Sequence, residues 1–456
     1  MTFKSVNPHD PSDIVGEFEA AGPEGVDRAV SRAREAFSEW RTQPASVRGG
    51  ALAGIADDLA GSTEEVTRLV VREVGKPITE ARAEVSRGIS ILRYYAQMVL
   101  AADGETFPAA RSEDWLVVRR YPLGVCALLT PWNFPVAIPL WKAAPAIGYG
   151  NAVVLKPAPA STAVAEALGG ILAKHLPEDA FQVVPGDAET GEPLVNHPDV
   201  AAVSFTGSAK VGHIVAQQAA GRGAKVQCEM GGQNPSLVLA GADLDAAAKT
   251  IAYAAMGYAG QKCTATSRVI VEKSVYEDLR DRLVSAVEGM VVMDPEDESC
   301  EVGPLIEDGA RASALDTLKN GGGRTLTGGT PPDGADGFYL EPTLVEVEGP
   351  DNPLAKEEVF APVTALLKAE SAEEAVRLAN DVRYGLVAAV FTNDLRKAMT
   401  FAGNIEAGLV RINAATSGVD YHVPFGGTKE SGLGSKEQGL AARDFYTETR
   451  TILISP

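Results

Sequence analysis

From Val125 onward, short apolar runs alternate with longer segments of helical pattern. Val125–Leu129, Ala152–Leu155, Ala201–Phe205, Leu237–Leu239, Arg268–Val271 and Val363–Leu367 have the length and β-branched content of buried strands. Pro139–Gly148, Ala163–Leu176, Tyr276–Met290 and Glu373–Asn380 read as helices between or beside them. This alternation predicts an α/β chain with parallel, doubly wound sheets. Ligands of such sheets bind beyond the carboxyl ends of the strands. Those ends carry Thr130-Pro131-Trp132-Asn133, Lys156-Pro157 and Thr206-Gly207-Ser208.

The flanking segments differ. Val26 to about Met98 is dominated by helical patterns, and Ser62-Thr63-Glu64-Glu65 predicts a capping box. It would open a helix running to Val74 and stopped by Gly75 and Pro77. Trp115–Tyr121 and Phe445–Ile454 read as two isolated strands, paired with each other or with another subunit. Gly321–Gly337 reads as a loop or hairpin.

A chain of 456 residues holds two or three domains, and a boundary is expected near Gly231. Formal charge is 41 − 61 = −20, which argues against nucleic-acid and membrane-surface partners. No apolar run approaches a membrane span and no signal-peptide core follows Met1. Cys126, Cys228, Cys263 and Cys300 are scattered, so neither a disulfide framework nor a metal site is expected, and a reducing cytoplasm fits.

The richest chemistry lies between Glu229 and Cys263. Glu229 precedes Gly231-Gly232, and Cys263 follows Gly260-Gln261-Lys262. A helical run, Leu244–Tyr258, separates them. A thiol attacks as thiolate and needs a base or a lowered pKa, so a carboxylate brought beside it would make a nucleophile and base pair. Taken singly, the Cys reads more readily as a small core residue and the Glu as a surface one. Asn133, held between Pro131 and Pro135, is either a turn residue or an amide donor to a developing oxyanion. Phe205-Thr206-Gly207-Ser208 is a strand, a tight turn and a helix start able to hold a pyrophosphate, although it is not GxGxxG.

Seven segments in this order make the pattern specific: Trp132-Asn133-Phe134-Pro135, Lys156-Pro157, Phe205–Ser208, Glu229–Gly232, Gly260–Cys263, Glu357–Pro362 and Pro424–Gly427. Together they resemble the aldehyde dehydrogenase superfamily over nearly the whole chain. The resemblance implies a Rossmann-like cofactor domain (1–104 and 124–230), an α/β catalytic domain (231–430) and a β oligomerisation arm (105–123 and 440–456). It implies that Cys263 attacks the aldehyde, that Asn133 and the Cys263 N–H hold the oxyanion, and that Glu229 activates the water that hydrolyses a thioester. Lys156 and Glu358 would bind cofactor ribose hydroxyls and Phe360 would lie by the nicotinamide. Gly207 and Ser208 would hold the pyrophosphate. Thr130, Pro131, Trp132, Phe205 and Met230 would complete the cofactor set. Phe134, Trp141, Tyr258, Thr264 and Phe425 would line the substrate funnel, with Arg93 and His422 as polar contacts.

Two departures refine what the resemblance implies. Many NAD-preferring relatives carry Glu three residues after the Lys, whereas Pro159 stands here. Removing that carboxylate removes repulsion against a 2′-phosphate, so NADP is expected to be accepted beside NAD. Trp141 occupies the position at which succinate-semialdehyde relatives can carry an Arg. The run Pro131–Lys142, together with Gly418–Gly427, looks most like the 2,5-dioxopentanoate (α-ketoglutarate semialdehyde) dehydrogenase branch. The alternatives are a succinate-semialdehyde or broad aliphatic or aromatic aldehyde dehydrogenase, or a non-catalytic protein on the same fold. A homo-oligomer, dimer or tetramer, is expected.

Overall fold

In the computed structural model, which describes all 456 residues, the apolar runs assemble into two large sheets. The first runs, in spatial order, Gly432–Leu433, Lys225–Met230, Val200–Gly207, Val125–Thr130, Ala152–Pro157 and Phe181–Val183. All its pairs are parallel except that of the Gly432–Leu433 edge. The second runs Arg324–Thr327, Thr343–Glu346, Val363–Ala369, Thr266–Glu272, Asn234–Val238, Val387–Phe391 and Leu409–Ile412. Only the pairing of its Arg324–Thr327 edge is antiparallel. Val125–Thr130 and Ala152–Pro157 are buried at every position, which is why they read as unbroken apolar runs rather than alternating ones.

The chain crosses from the first sheet to the second between Met230 and Asn234. Glu229 therefore ends a strand of one sheet, and Cys263 precedes a strand of the other. Trp115–Pro122 and Thr447–Ile454 pair with each other, in register from Trp115↔Ile454 to Pro122↔Thr447. Gly104–Phe107 joins them in a separate antiparallel sheet.

Three local expectations need correction. Ser62 does cap the Thr63–Val74 helix by position, but its side chain makes no capping bond. The preceding helix, Ala45–Gly61, runs almost directly into it, and the Ser62 N–H bonds back to Asp58 and Leu59. Gly75 ends the helix in the left-handed region (φ 65°), as a C-terminal glycine should. The C-terminal strand begins at Thr447, because Gly439–Tyr446 is helical and buries Phe445 and Tyr446 in the core. The helix before Cys263 stops at Met256, where a Gly257–Gly260 turn puts Tyr258 and Ala259 at positive φ. Non-glycine residues there are held against a conformational cost of about 1–3 kcal/mol.

Candidate active site

A cavity of about 310 Å³ opens where the two sheets meet, lined by Cys263, Glu229 and Asn133 together. Pro131, Trp132, Gly207, Ser208, Met230, Glu358 and Phe360 share its wall, as do Trp141 and Phe425. Residues from seven separate segments thus converge on one space. Trp132 meets Phe360 edge-on at 5.8 Å, and Trp141 meets Phe425 at 5.5 Å, so paired aromatic rings form two parts of the wall.

Not every expected residue reaches it. Phe205 packs beneath the Gly207 turn in the core. Tyr258 is fully buried, and its ring meets Phe134 behind the wall. Neither of these two rings borders the cavity, nor do Thr264, Thr130 and Lys156. All five side chains beyond Phe134 are nine-tenths or more buried. Lys156 donates to the carbonyls of Pro157 (2.6 Å) and Gly186 (2.7 Å), and burial lowers its pKa to about 8. Arg93 points outward to Asp57 at 3.2 Å, and His422 is exposed, so neither faces the cavity. A helix face and an exposed loop carry them away from it.

Glu229 is almost completely buried. Its Oε2 accepts the Gly427 N–H at 3.1 Å. A methyl group on Gly426 would lie 2.1 Å from its Oε1, so only glycine lets Pro424–Gly427 lie against the carboxylate. Burial, then the charge of Glu437, raises the Glu229 pKa well above the carboxylate range, with Lys436 partly opposing. Burial also lifts the Cys263 thiol to about 12, helped by the charges of Glu358 and Glu229. Glu358 itself rises to about 7 through burial, against the opposing Gly232 N–H, which it accepts at 3.0 Å. The thiol thus sits among carboxyl groups, in surroundings that disfavour its charged form.

Asn133 Nδ2 donates to the Gln261 carbonyl at 2.9 Å, tying the Pro131–Pro135 loop to the loop before Cys263. An amide nitrogen carries two hydrogens, which leaves one for a ligand. Behind Glu229 lies a cluster that reading the chain in order had missed. Lys142 pairs with Glu437 and donates to Ser204 Oγ at 2.7 Å, and Gln227 Nε2 donates to the same hydroxyl at 2.9 Å. One signal was present: Lys142 is the single charged residue in the otherwise apolar Ala137–Gly148 helix. A lysine there must find a buried partner.

Fold and cavity together bring a thiol and a buried carboxyl group into one space between two sheets, an arrangement suited to nucleophilic catalysis. The chain belongs to the aldehyde dehydrogenase family, whose model matches residues 1–452. It is an oxidoreductase acting on aldehydes. Among curated relatives, the alpha-ketoglutaric semialdehyde dehydrogenase of Bacillus subtilis is 41% identical, covering 99% of this chain and 94% of that protein. The 2,5-dioxopentanoate dehydrogenase of Saccharolobus solfataricus is 35% identical, covering 99% and 95%. Among solved structures, betaine aldehyde dehydrogenase of Staphylococcus aureus in complex with NAD+ is 29% identical. It superposes with a TM-score of 0.97 over 100% of this chain and 92% of that one. No helix is long and apolar enough to cross a membrane.

Proposed function

We propose that the protein oxidises a semialdehyde, 2,5-dioxopentanoate, to the dicarboxylate through a thioester on Cys263. The observation that carries the mechanism is the shared cavity of Cys263, Glu229 and Asn133. Cys263 Sγ attacks the aldehyde carbon as its proton passes to a solvent water. The free N–H of Asn133 stabilises the resulting oxyanion. A nicotinamide dinucleotide, when bound, accepts the hydride. Glu229 then takes a proton from water, and the hydroxide attacks the thioester and releases the acid.

The residues present fit such a cofactor. Thr206 lines the cavity and its buried hydroxyl has no partner. Ser208 caps the Ala209–Gly221 helix, whose N-terminus suits a pyrophosphate. Glu358 and Phe360, which line the cavity, would contact ribose and nicotinamide, while Lys156 would contribute from just behind the wall. Phe205 and Thr130 support the cofactor strand ends from the core. The cofactor-binding part would comprise 1–104 and 124–230, with the catalytic part at 231–430. The arm, 105–123 with 440–456, would join copies into a homo-oligomer. Exposed Trp115, Leu453 and Ile454 on its sheet support that assignment. Four cysteines without a disulfide are in keeping with the cytoplasm.

We infer that NADP is accepted alongside NAD. Pro159 opens a short 3₁₀ turn just beyond Lys156 and carries no charge to repel a 2′-phosphate. Pro159→Glu is expected to lower the NADP/NAD ratio of kcat/KM by about tenfold or more. An unchanged ratio would contradict the inference.

The substrate assignment rests on the names of the two semialdehyde relatives and on one feature of the wall. No Arg or Lys lines the cavity. Trp141 does, and its buried Nε1–H has no partner. A buried donor without an acceptor is a standing cost that a keto or carboxylate oxygen would remove. Trp141→Phe keeps the ring and deletes the donor. The expected result is a loss of about tenfold in kcat/KM for 2,5-dioxopentanoate, with propanal changed less than about twofold. Equal losses on both, or a wild-type preference for propanal or benzaldehyde, would favour the second reading. That reading is a neutral-aldehyde funnel walled by Ile138, Leu386 and Phe425.

A further inference from the structure

The helix Ile78–Met98 lies outside the cavity wall, yet its first two turns touch both loops that shape the oxyanion position. Glu84 is buried, and its Oε1 accepts the backbone N–H groups of Val136 (2.8 Å) and Ala137 (2.9 Å). Those groups open the Ala137–Gly148 helix, three residues after Asn133. Glu84 Oε2 pairs with the fully buried Lys76. The Lys76 ammonium lies 3.9 Å from the centre of the Phe134 ring and 4.5 Å from that of Tyr258. It thereby fixes the residue after Asn133 against the turn before Cys263. One turn earlier, Glu80 Oε1 accepts from Lys262 Nζ at 2.7 Å and from Tyr253 Oη at 2.9 Å. Lys262 is the residue immediately before Cys263. The Asn133–Gln261 bond closes the ring between the two loops.

Stability alone does not account for four charged groups at this junction. Buried ion pairs do no better, on balance, than apolar residues of the same volume. What they supply is direction. Charge-assisted hydrogen bonds are short and oriented, and Glu80 and Glu84 sit four residues apart on one helix face. Oxyanion stabilisation needs that kind of control, since displacement by about 1 Å costs about 100-fold in rate.

We propose that Glu84 and Glu80 are positioning residues that hold the Asn133 and Cys263 loops at the separation the oxyanion requires. Glu84 acts through the start of the Ala137–Gly148 helix, and Glu80 acts through Lys262. The proposal rests on the thioester mechanism above.

The test is a double-mutant cycle with single-turnover formation of the reduced cofactor as readout. Glu84→Gln and Glu80→Gln are each made in the wild-type and the Asn133→Ala backgrounds, with cofactor Kd measured by fluorescence titration. Both carboxamides keep an acceptor oxygen and lose the charge. In the wild-type background a slowing of roughly 10- to 100-fold is expected, with Kd unchanged. In the Asn133→Ala background the same changes should cost less than about twofold, because the donor they position is gone. Equal losses in both backgrounds would reduce the glutamates to general structural support and overturn the proposal. So would full activity of both single variants. Should Glu84→Gln not fold, the Glu80 cycle decides alone, since that side chain is partly solvent-exposed. If Asn133→Ala itself leaves the rate unchanged, the oxyanion assignment fails, and this proposal with it. Intact turnover in Cys263→Ala would mark the separate failure of the thioester mechanism.

Discussion

Cys263→Ala is expected to abolish aldehyde oxidation, by at least about 10⁴-fold, while leaving cofactor binding intact. The four thiols differ in what surrounds them. Cys126 and Cys228 lie on interior strands at 0% exposure. Cys300 is buried, with its thiol directed to the Met293 carbonyl at 3.4 Å. Cys263 alone borders the cavity shared with Glu229 and Asn133. Burial and the Glu358 charge push its thiol up to about 12. A positively charged group in the cavity would favour the thiolate, so a thiol reagent should label Cys263 faster once an oxidised cofactor is bound. Residual turnover of Cys263→Ala above about 1% of wild type would remove the covalent mechanism.

Glu229→Gln is expected to separate the two halves of the reaction. Hydride transfer should still occur once per subunit, giving a burst of reduced cofactor, and steady-state turnover should fall roughly 10²- to 10⁴-fold. The amide preserves the shape that fits beneath Gly426 and Gly427 but cannot accept a proton from water. The same residue sets the pH profile. A base works when deprotonated, and burial with the Glu437 charge raises the Glu229 pKa well above the ordinary carboxylate range. Wild-type hydrolysis should therefore rise with pH above that range and fall as the solution is acidified. The limb should vanish in Glu229→Gln. A full-rate Glu229→Gln enzyme, or an unchanged limb in it, would assign the base elsewhere.

The strands were legible because both faces of each are covered. Val125–Thr130 and Ala152–Pro157 have no solvent side and so read as continuous apolar runs. Cys263, Glu229 and Asn133 were legible because glycines and prolines mark the turns that carry them. Side-chain direction was less so. Phe134 and Tyr258 lie close to Asn133 and Cys263 in order, yet they turn to Lys76 and away from the cavity. The positive φ at Tyr258 that turns the chain there has no signature in residue type. Glu80 and Glu84 sit in the first turns of an amphipathic helix and Lys76 just before it, where charged residues read as solvated surface. The backbone groups that Glu84 accepts from are 52 and 53 residues away, and Lys262 is 182 residues from Glu80, distances at which order alone says nothing. The capping box at Ser62 shows the converse. Its local pattern was correct, but a preceding helix supplied the backbone carbonyls first.

The central claim is a thioester on Cys263, and its most direct test is a mass measurement. Glu229→Gln would be mixed with 2,5-dioxopentanoate and an oxidised nicotinamide dinucleotide, quenched in acid and digested. The Cys263 peptide is predicted to gain the mass of the aldehyde less two hydrogens, in step with the burst of reduced cofactor. A burst with no such adduct, or the adduct on Cys126, Cys228 or Cys300 instead, would contradict the account.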